Sequence, residues 1–91
     1  MKNARLRVEK GVIEVELLIT NNKISSIKIT GDFFIHPEKA LEDIETSLIS
    51  TETKKRAIEK VLKKVFTERK ITSPGITRED FTEVIIQAIN R

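Results

Sequence analysis

The sequence predicts a small α+β domain, in which a three-stranded antiparallel sheet is covered on one face by three helices in the order βββααα. Two observations carry this prediction. Apolar and polar residues alternate over the first thirty positions, as in half-buried strands, and beyond position 37 apolar residues recur every three or four positions, as in amphipathic helices. A chain of 91 residues has room for one core, so residues 1–91 are expected to form a single domain.

The first two strands are expected to form a hairpin. A two-residue loop at positions 10–11 would pair Leu6 with Val15 on the apolar face of the sheet. The same register places Arg5 opposite Glu16 on the polar face. A slip of one residue would mix apolar and polar side chains on both faces, so the pattern favours this register.

The turn between the second and third strands allows two loops. A two-residue loop at positions 21–22 would place Lys28 on the apolar face, whereas a loop extended to Lys23 places Lys28 opposite Glu16. Asparagine tolerates the positive φ that such loops need. The pattern favours the three-residue loop, which leaves one face apolar and gives the other a row of Arg5, Glu16 and Lys28.

Three amphipathic helices are expected after the sheet. Pro37 suits the first position of the first helix, and the second helix is expected to begin near Ser50 or Thr51. Thr77 and Asp80 have the spacing of a capping box at the start of the third helix. The apolar stripes of the three helices are Leu41, Ile44 and Leu48; Ala57, Ile58, Val61, Leu62, Val65 and Phe66; and Phe81, Val84, Ile85, Ala88 and Ile89.

The composition excludes several classes of site. Cysteine is absent and His36 is the only histidine, which excludes disulfides, thiolate metal sites and histidine-clustered metal sites. The sequence contains no glycine-rich phosphate loop and no hydrolase or metalloprotease motif. Its apolar runs are too short for a membrane span or a signal peptide. We therefore expect a cytoplasmic protein with no catalytic, cofactor-binding or metal-binding residues of its own.

Four side chains could still carry chemistry. The carboxylates of Glu42, Asp43 and Glu45 surround the apolar stripe of the first helix, which indicates a solvated helix face and not a cation site. His36 directly precedes Pro37, where a loop or cap residue is expected, and no serine or carboxylate is brought to it by spacing.

Charge is unevenly distributed along the chain. The formal net charge is +3, but residues 31–53 carry six acidic groups and one basic group, whereas residues 54–70 carry eight basic and two acidic groups. The basic residues on the exposed side of the second helix form a stripe of Arg56, Lys60, Lys63 and Lys64. Such a stripe could contact phosphates, but the sequence has no Tyr or Trp for base stacking. A solvated face or an acidic protein partner is favoured, and a small basic nucleic-acid-binding module is the alternative.

The end of the third strand is the most distinctive segment, with the sequence Gly31-Asp32-Phe33-Phe34. Glycine allows the chain to turn off the sheet. One phenylalanine can close the core, but two are hard to hide at one strand end. Either both rings plug the crossing from sheet to helix, or one is partly exposed at a protein contact.

The order of several short motifs resembles the C-terminal domain of lipoate–protein ligases. These motifs are a Gly-x-Ile-x-Val strand at positions 11–15, a Gly-Asp-Phe-Phe element at 31–34, a Pro-Glu-led helix with a Leu-x-x-Ile-Glu-x-x-Leu pattern at 41–48, and a Gly-Ile-Thr-x-x-Asp helix start at 75–80. Each motif is short, but together they extend from about Val8 to Ile89.

The resemblance implies an accessory role. In most ligases of this kind the module follows a larger domain that binds ATP and lipoate, whereas here it begins with its own methionine. The chain is therefore expected to be the separately encoded small subunit of a split ligase, inactive alone and paired in a heterodimer with a large catalytic subunit. The complex would use ATP, Mg²⁺ and lipoate to form lipoyl-AMP, and would then modify a lysine of a lipoyl-acceptor domain, a transient partner.

No ATP-binding or lipoate-binding residue of the family can be assigned to this chain, because those residues belong to the larger domain. The candidates for the subunit interface are Gly31, Asp32, Phe33 and Phe34, together with Arg56, Lys60, Lys63 and Lys64. A third hypothesis, a small scaffold of the kind found in iron–sulfur assembly, conflicts with the absence of cysteine.

Overall fold

The computed structural model describes residues 2–91 and contains three strands followed by three helices. The strands are β1 (Lys2–Val8), β2 (Gly11–Thr20) and β3 (Lys23–Asp32), and they form one antiparallel sheet in the order β1-β2-β3. The helices are α1 (Ala40–Leu48), α2 (Lys55–Glu68) and α3 (Arg78–Ile89). The predicted α+β class and the βββααα order are confirmed.

The helices cover one face of the sheet. α1 packs on β3, α3 packs on β1 and β2, and α2 packs against the other two helices. All six elements bury apolar side chains in the core between them, among them Ala4, Ile13, Ile29, Ile44, Leu62 and Ile85. Within residues 2–91, no helix combines the length and the hydrophobicity needed to cross a bilayer.

The first hairpin differs from the prediction by two residues. Its turn occupies positions 9–10, so Leu6 lies opposite Ile13 and not opposite Val15. A shift of two residues leaves every side chain on its original face, because the side-chain period of a strand is two. The alternation in the sequence therefore predicts the buried face correctly and cannot distinguish these two registers.

The predicted row of charges on the outer face is accordingly interrupted. Arg5 lies opposite Glu14 and not opposite Glu16. The guanidinium of Arg5 forms an ion pair with Glu14, and its Nε donates to Oε1 of that carboxylate at 2.7 Å. Glu16 lies opposite Lys28, as predicted.

The second hairpin has the predicted strand pairing but a different loop. Only Asn21 and Asn22 form the loop, with φ values of 53° and 62°, which suit the tight turns that match strand twist. The extra residue is accommodated in a bulge, where the register shifts beside Leu18 and Ser25 has no partner on β2. The Ser25 hydroxyl donates to the Leu18 carbonyl oxygen at 3.1 Å. The bulge therefore keeps the apolar residues on the buried face although the turn is short.

The start of α3 agrees with the prediction, whereas the start of α1 does not. α3 begins with the predicted capping box, in which the Thr77 hydroxyl accepts from the Asp80 N–H at 3.1 Å and Asp80 Oδ2 accepts from the Thr77 N–H at 2.9 Å. α1 begins later than predicted, at Ala40. Pro37 lies instead in the preceding turn, where its carbonyl oxygen accepts from the Ala40 N–H at 2.9 Å.

α2 also begins later than predicted, at Lys55 and not near Ser50 or Thr51. The segment before it runs along the edge of β3. The Thr51 carbonyl oxygen accepts from the Ile24 N–H at 2.9 Å, and the Ser50 N–H donates to the Ile24 carbonyl oxygen at 2.7 Å. These residues are used to cover a strand edge, so they are not available to the helix.

Candidate functional site

The predicted interface residues lie on two elements. Residues 31–34, here called the aromatic tip, form the end of β3 and the chain just after it. The second group lies on α2 and is here called the basic face; its members are Arg56, Lys60, Lys63 and Lys64. The two groups differ in their contacts with the rest of the molecule.

In the aromatic tip, one phenylalanine packs against the core and the other is exposed to solvent. Phe33 is half-buried and packs edge-on against Phe81, with ring centroids 5.9 Å apart and an interplanar angle of 80°. Phe66 packs on the same Phe81 ring at 5.8 Å. The side chain of Phe34 is 77% exposed. The hypothesis that both rings plug the core is therefore wrong, and the alternative of one exposed aromatic describes the structure.

Two glycines bring β2 and β3 close together beneath the tip. Gly31 has φ of 154°, and a Cβ atom there would lie 2.1 Å from the Val12 carbonyl oxygen and 2.8 Å from the Phe33 ring. Gly11 has φ of 151°, and a Cβ atom there would lie 1.7 Å from the Asp32 carbonyl oxygen. Both conformations favour glycine. The part played by Gly11 was missed by sequence reasoning, which placed this residue in the turn.

A backbone bridge fixes the chain on the far side of the tip. The His36 N–H donates to the Thr72 carbonyl oxygen at 2.8 Å, and the Thr72 N–H donates back to the His36 carbonyl oxygen at 2.8 Å. This pair joins the segment after β3 to the loop between α2 and α3. The side chain of His36 is exposed in a loop, as expected. No pattern in the sequence indicates Thr72 as its partner, because the contact spans two helices.

The basic face is exposed along α2. The ion pairs found within residues 2–91 join other residues, namely Arg5 with Glu14, Lys54 with Glu52, and Arg69 with Asp43. The four cations of the basic face therefore have no carboxylate within 4.0 Å in the described chain. Their charge is directed to solvent or to a partner.

The acidic residues of α1 are not simply a solvated face, as the sequence suggested. Glu42 is exposed, but Asp43 is half-buried, 4.0 Å from the Arg69 guanidinium. Glu45 Oε2 accepts from the Ile29 N–H of β3 at 2.6 Å. Over residues 2–91, no three His, Asp or Glu side chains are grouped closely enough to hold a metal ion.

Comparisons with known proteins agree on one family. The family described as "Bacterial lipoate protein ligase C-terminus" matches residues 1–85. The chain is 32% identical over 85 residues to "Lipoate-protein ligase A subunit 2" of Thermoplasma acidophilum, an alignment that covers 93% of this chain and 87% of that protein.

A solved structure agrees as well. It describes a bipartite lipoate protein ligase and its E2 lipoyl domain from Thermoplasma acidophilum. One of its chains superposes with a TM-score of 0.83 and 28% sequence identity, with 91% of each chain covered. With a matching fold, and with the family matched from β1 into α3, this chain belongs to the family of bacterial lipoate protein ligase C-terminal domains.

Proposed function

We propose that this chain is the small subunit of a two-part lipoate–protein ligase and works in a heterodimer with a large catalytic subunit. The observation that carries the proposal is the match to subunit 2 of the Thermoplasma ligase, which extends over most of both proteins. That relative is itself a subunit, so the likeness is to a separate small protein and not to one end of a long chain.

The chain's own residues support assigning the chemistry to the other subunit. ATP with its Mg²⁺ needs carboxylate or similar oxygen ligands and backbone or cationic groups that cradle phosphates. Residues 2–91 provide no group of three metal ligands, and the sequence has no glycine-rich phosphate loop. These two observations support our placing ATP, Mg²⁺ and lipoate on the large subunit.

The role that remains for this chain is to assist the activation of lipoate to lipoyl-AMP and the transfer of the lipoyl group to acceptor lysines. Lipoyl-AMP is a mixed anhydride, which water would hydrolyse. A rigid module that orders the loops of a neighbouring active site and excludes water would protect it. The closed apolar core of this chain supplies the required rigidity, because packed interiors resist deformation.

The test is reconstitution with the large subunit of the same organism's ligase. We expect the large subunit alone to release little pyrophosphate from ATP and lipoate, and the rate to rise and saturate as this chain is added. This chain alone is expected to give none. Equal activation by the large subunit without this chain would contradict the proposal.

A matched control tests whether the stimulation requires this chain to be folded or is produced by any added protein. Ile44 is fully buried, so Ile44→Asp places an unpaired charge in the core and unfolds the domain while leaving its surface residues unchanged. The Ile44→Asp variant is expected to give no stimulation at any concentration. Stimulation equal to that by the native chain would mean that the effect does not require the fold.

A further inference from the structure

Phe34 is the most exposed large apolar side chain described in the protein. It is 77% exposed, compared with 43% for Leu18 and 41% for Ile49. The remaining three phenylalanines are buried or half-buried in one aromatic cluster. Phe34 therefore contributes little to the core, and its apolar surface faces water in the isolated chain.

The backbone that carries Phe34 is held on both sides. On one side, β3 is paired with β2 as far as Asp32, and the Phe33 ring is packed in the core. On the other side, two hydrogen bonds of 2.8 Å join His36 to Thr72. Of the two residues between these attachments, Ile35 packs against the core and Phe34 is exposed. The ring is thus displayed from a restrained segment, which lowers the entropy lost when a partner covers it.

Two exposed polar residues flank Phe34 in the sequence, beyond its apolar neighbours Phe33 and Ile35. Asp32 and His36, two residues away on either side, are both exposed. Exposed aromatic side chains of this kind often supply much of the binding energy at the centre of protein interfaces, where polar residues form the rim.

We propose that Phe34 is the anchor by which this chain docks on the large subunit, inserting its ring into an apolar pocket of that protein. The inference rests on the proposed function. An exposed aromatic ring is more suited to a permanent subunit interface than to a transient contact. Long-lived interfaces are more apolar than transient ones, and they keep the ring out of water. The basic face, which is charged and exposed, suits steering of a partner more than anchoring.

The experiment measures assembly with the large subunit of the same organism's ligase by calorimetric titration. Phe34→Ala is expected to raise Kd by roughly 30-fold or more, as truncation of an aromatic anchor does. Phe34→Leu, which retains an apolar side chain, is expected to lose less affinity. Because the ring is exposed, both variants are expected to unfold thermally at the temperature of the native chain.

Leu18→Ala is the matched control, because Leu18 is also an exposed apolar residue but lies on the outer face of the sheet. It is expected to change Kd by no more than about twofold, the usual effect of truncating a residue outside the anchor. The double variant Lys60→Glu, Lys63→Glu tests the basic face. If that variant abolishes assembly while Phe34→Ala does not, the anchor lies on α2 and the inference is overturned.

Three other results distinguish failure of the inference from failure of the proposed function. If the native chain does not bind the large subunit at all, the proposed function fails. If Phe34→Ala assembles normally but slows transfer to an acceptor lipoyl domain, the ring contacts the acceptor and the inference is overturned while the proposed function stands. Normal assembly and normal transfer would likewise overturn the inference alone.

Discussion

At the scale of single residues, the two glycines below the aromatic tip determine how closely β2 and β3 can approach. We predict that Gly11→Ala lowers the free energy of unfolding by about 2–4 kcal/mol, since it combines an unfavourable φ with a steric clash. The new Cβ atom would lie 1.7 Å from the Asp32 carbonyl oxygen, so the backbone itself must move. Urea unfolding followed by circular dichroism measures the loss.

Gly75→Ala, made in a Lys10→Gly background, is the control, because it shares the positive φ, here 78°, while the side chain that its Cβ atom would meet, with Lys10 Cγ at 1.8 Å and Lys10 Cβ at 2.4 Å, is removed. With that side chain absent, the expected loss relative to Lys10→Gly alone is about 1 kcal/mol, the cost of the backbone conformation. Equal losses for the two variants would show that the contact with β3 adds nothing to the requirement for glycine.

The same scale shows what residue patterns can and cannot predict. The pair Phe33 and Phe34 was predicted to contain a core plug, but which ring is buried depends on Phe81, which lies in α3 and is distant in the sequence. Likewise, alternation identified the buried face of β1 and β2 but not their register, since a shift of two preserves every face.

At the scale of elements, Glu45 of α1 covers the edge of β3. Its carboxylate accepts from the Ile29 N–H at 2.6 Å, a hydrogen bond that a neighbouring strand would otherwise make. We predict that Glu45→Ala destabilises the domain by about 1–2 kcal/mol, because a buried donor loses a charged acceptor. Hydrogen exchange of the Ile29 amide is expected to become faster, which reports the lost bond directly.

Two variants at neighbouring positions check this assignment. Glu45→Gln keeps an oxygen acceptor and is expected to retain most of the protection of the Ile29 amide. Glu42→Ala removes an exposed carboxylate from the same helix and is expected to leave that amide unchanged. If Glu42→Ala and Glu45→Ala accelerate exchange equally, the effect comes from the charge of the helix and not from the hydrogen bond.

Element boundaries were predicted less well where tertiary contacts compete with local preference. The capping box of α3 lies within four residues, and its sequence pattern was sufficient to predict it. The start of α2 was predicted too early because residues 50–52 are used along β3, a contact between segments about 27 residues apart. The bulge at Ser25 was also not predicted, because it too depends on tertiary packing. The core requires one strand register, the two-residue turn alone would give another, and the extra residue in the bulge makes the two compatible.

At the scale of the whole molecule, the acidic segment 31–53 and the basic face of α2 differ in whether their charges have partners within the chain. In the acidic segment, Asp43, Glu45 and Glu52 each contact a partner within the chain. The basic face of α2 has no such partner within the described residues. The sequence shows that charge is segregated, but not that three of the six acidic residues of segment 31–53 have partners within the chain. Each of these ion pairs involves one positive and one negative charge, so the net charge remains +3. The field over α2 is positive because the basic face is unpaired, and this field would accelerate encounter with an acidic partner surface.

The specific activity of a two-chain ligase should depend on protein concentration, whereas that of a single fused chain should not. Joining the carboxyl terminus of the large subunit to the amino terminus of this chain by a flexible Gly/Ser linker of about 20 residues gives a typical reach of about 25 Å, comparable with the 33 × 26 × 20 Å dimensions of the domain. The effective concentration of this chain then becomes about millimolar. We predict that specific activity of the fusion is unchanged on dilution, whereas that of the mixed subunits falls once they are diluted below Kd.

The same fusion carrying Phe34→Ala gives the stronger test, because a weakened contact is restored by tethering when the variant's Kd remains below the effective concentration. Diluted mixtures with the variant are expected to be inactive, and the fused variant is expected to regain most of the activity of the fused native protein. Parallel loss of activity on dilution in fused and unfused enzymes would contradict the two-part assembly. A fused Phe34→Ala enzyme that stays inactive would mean that the ring acts in the reaction itself, since tethering replaces only what the ring contributes to assembly.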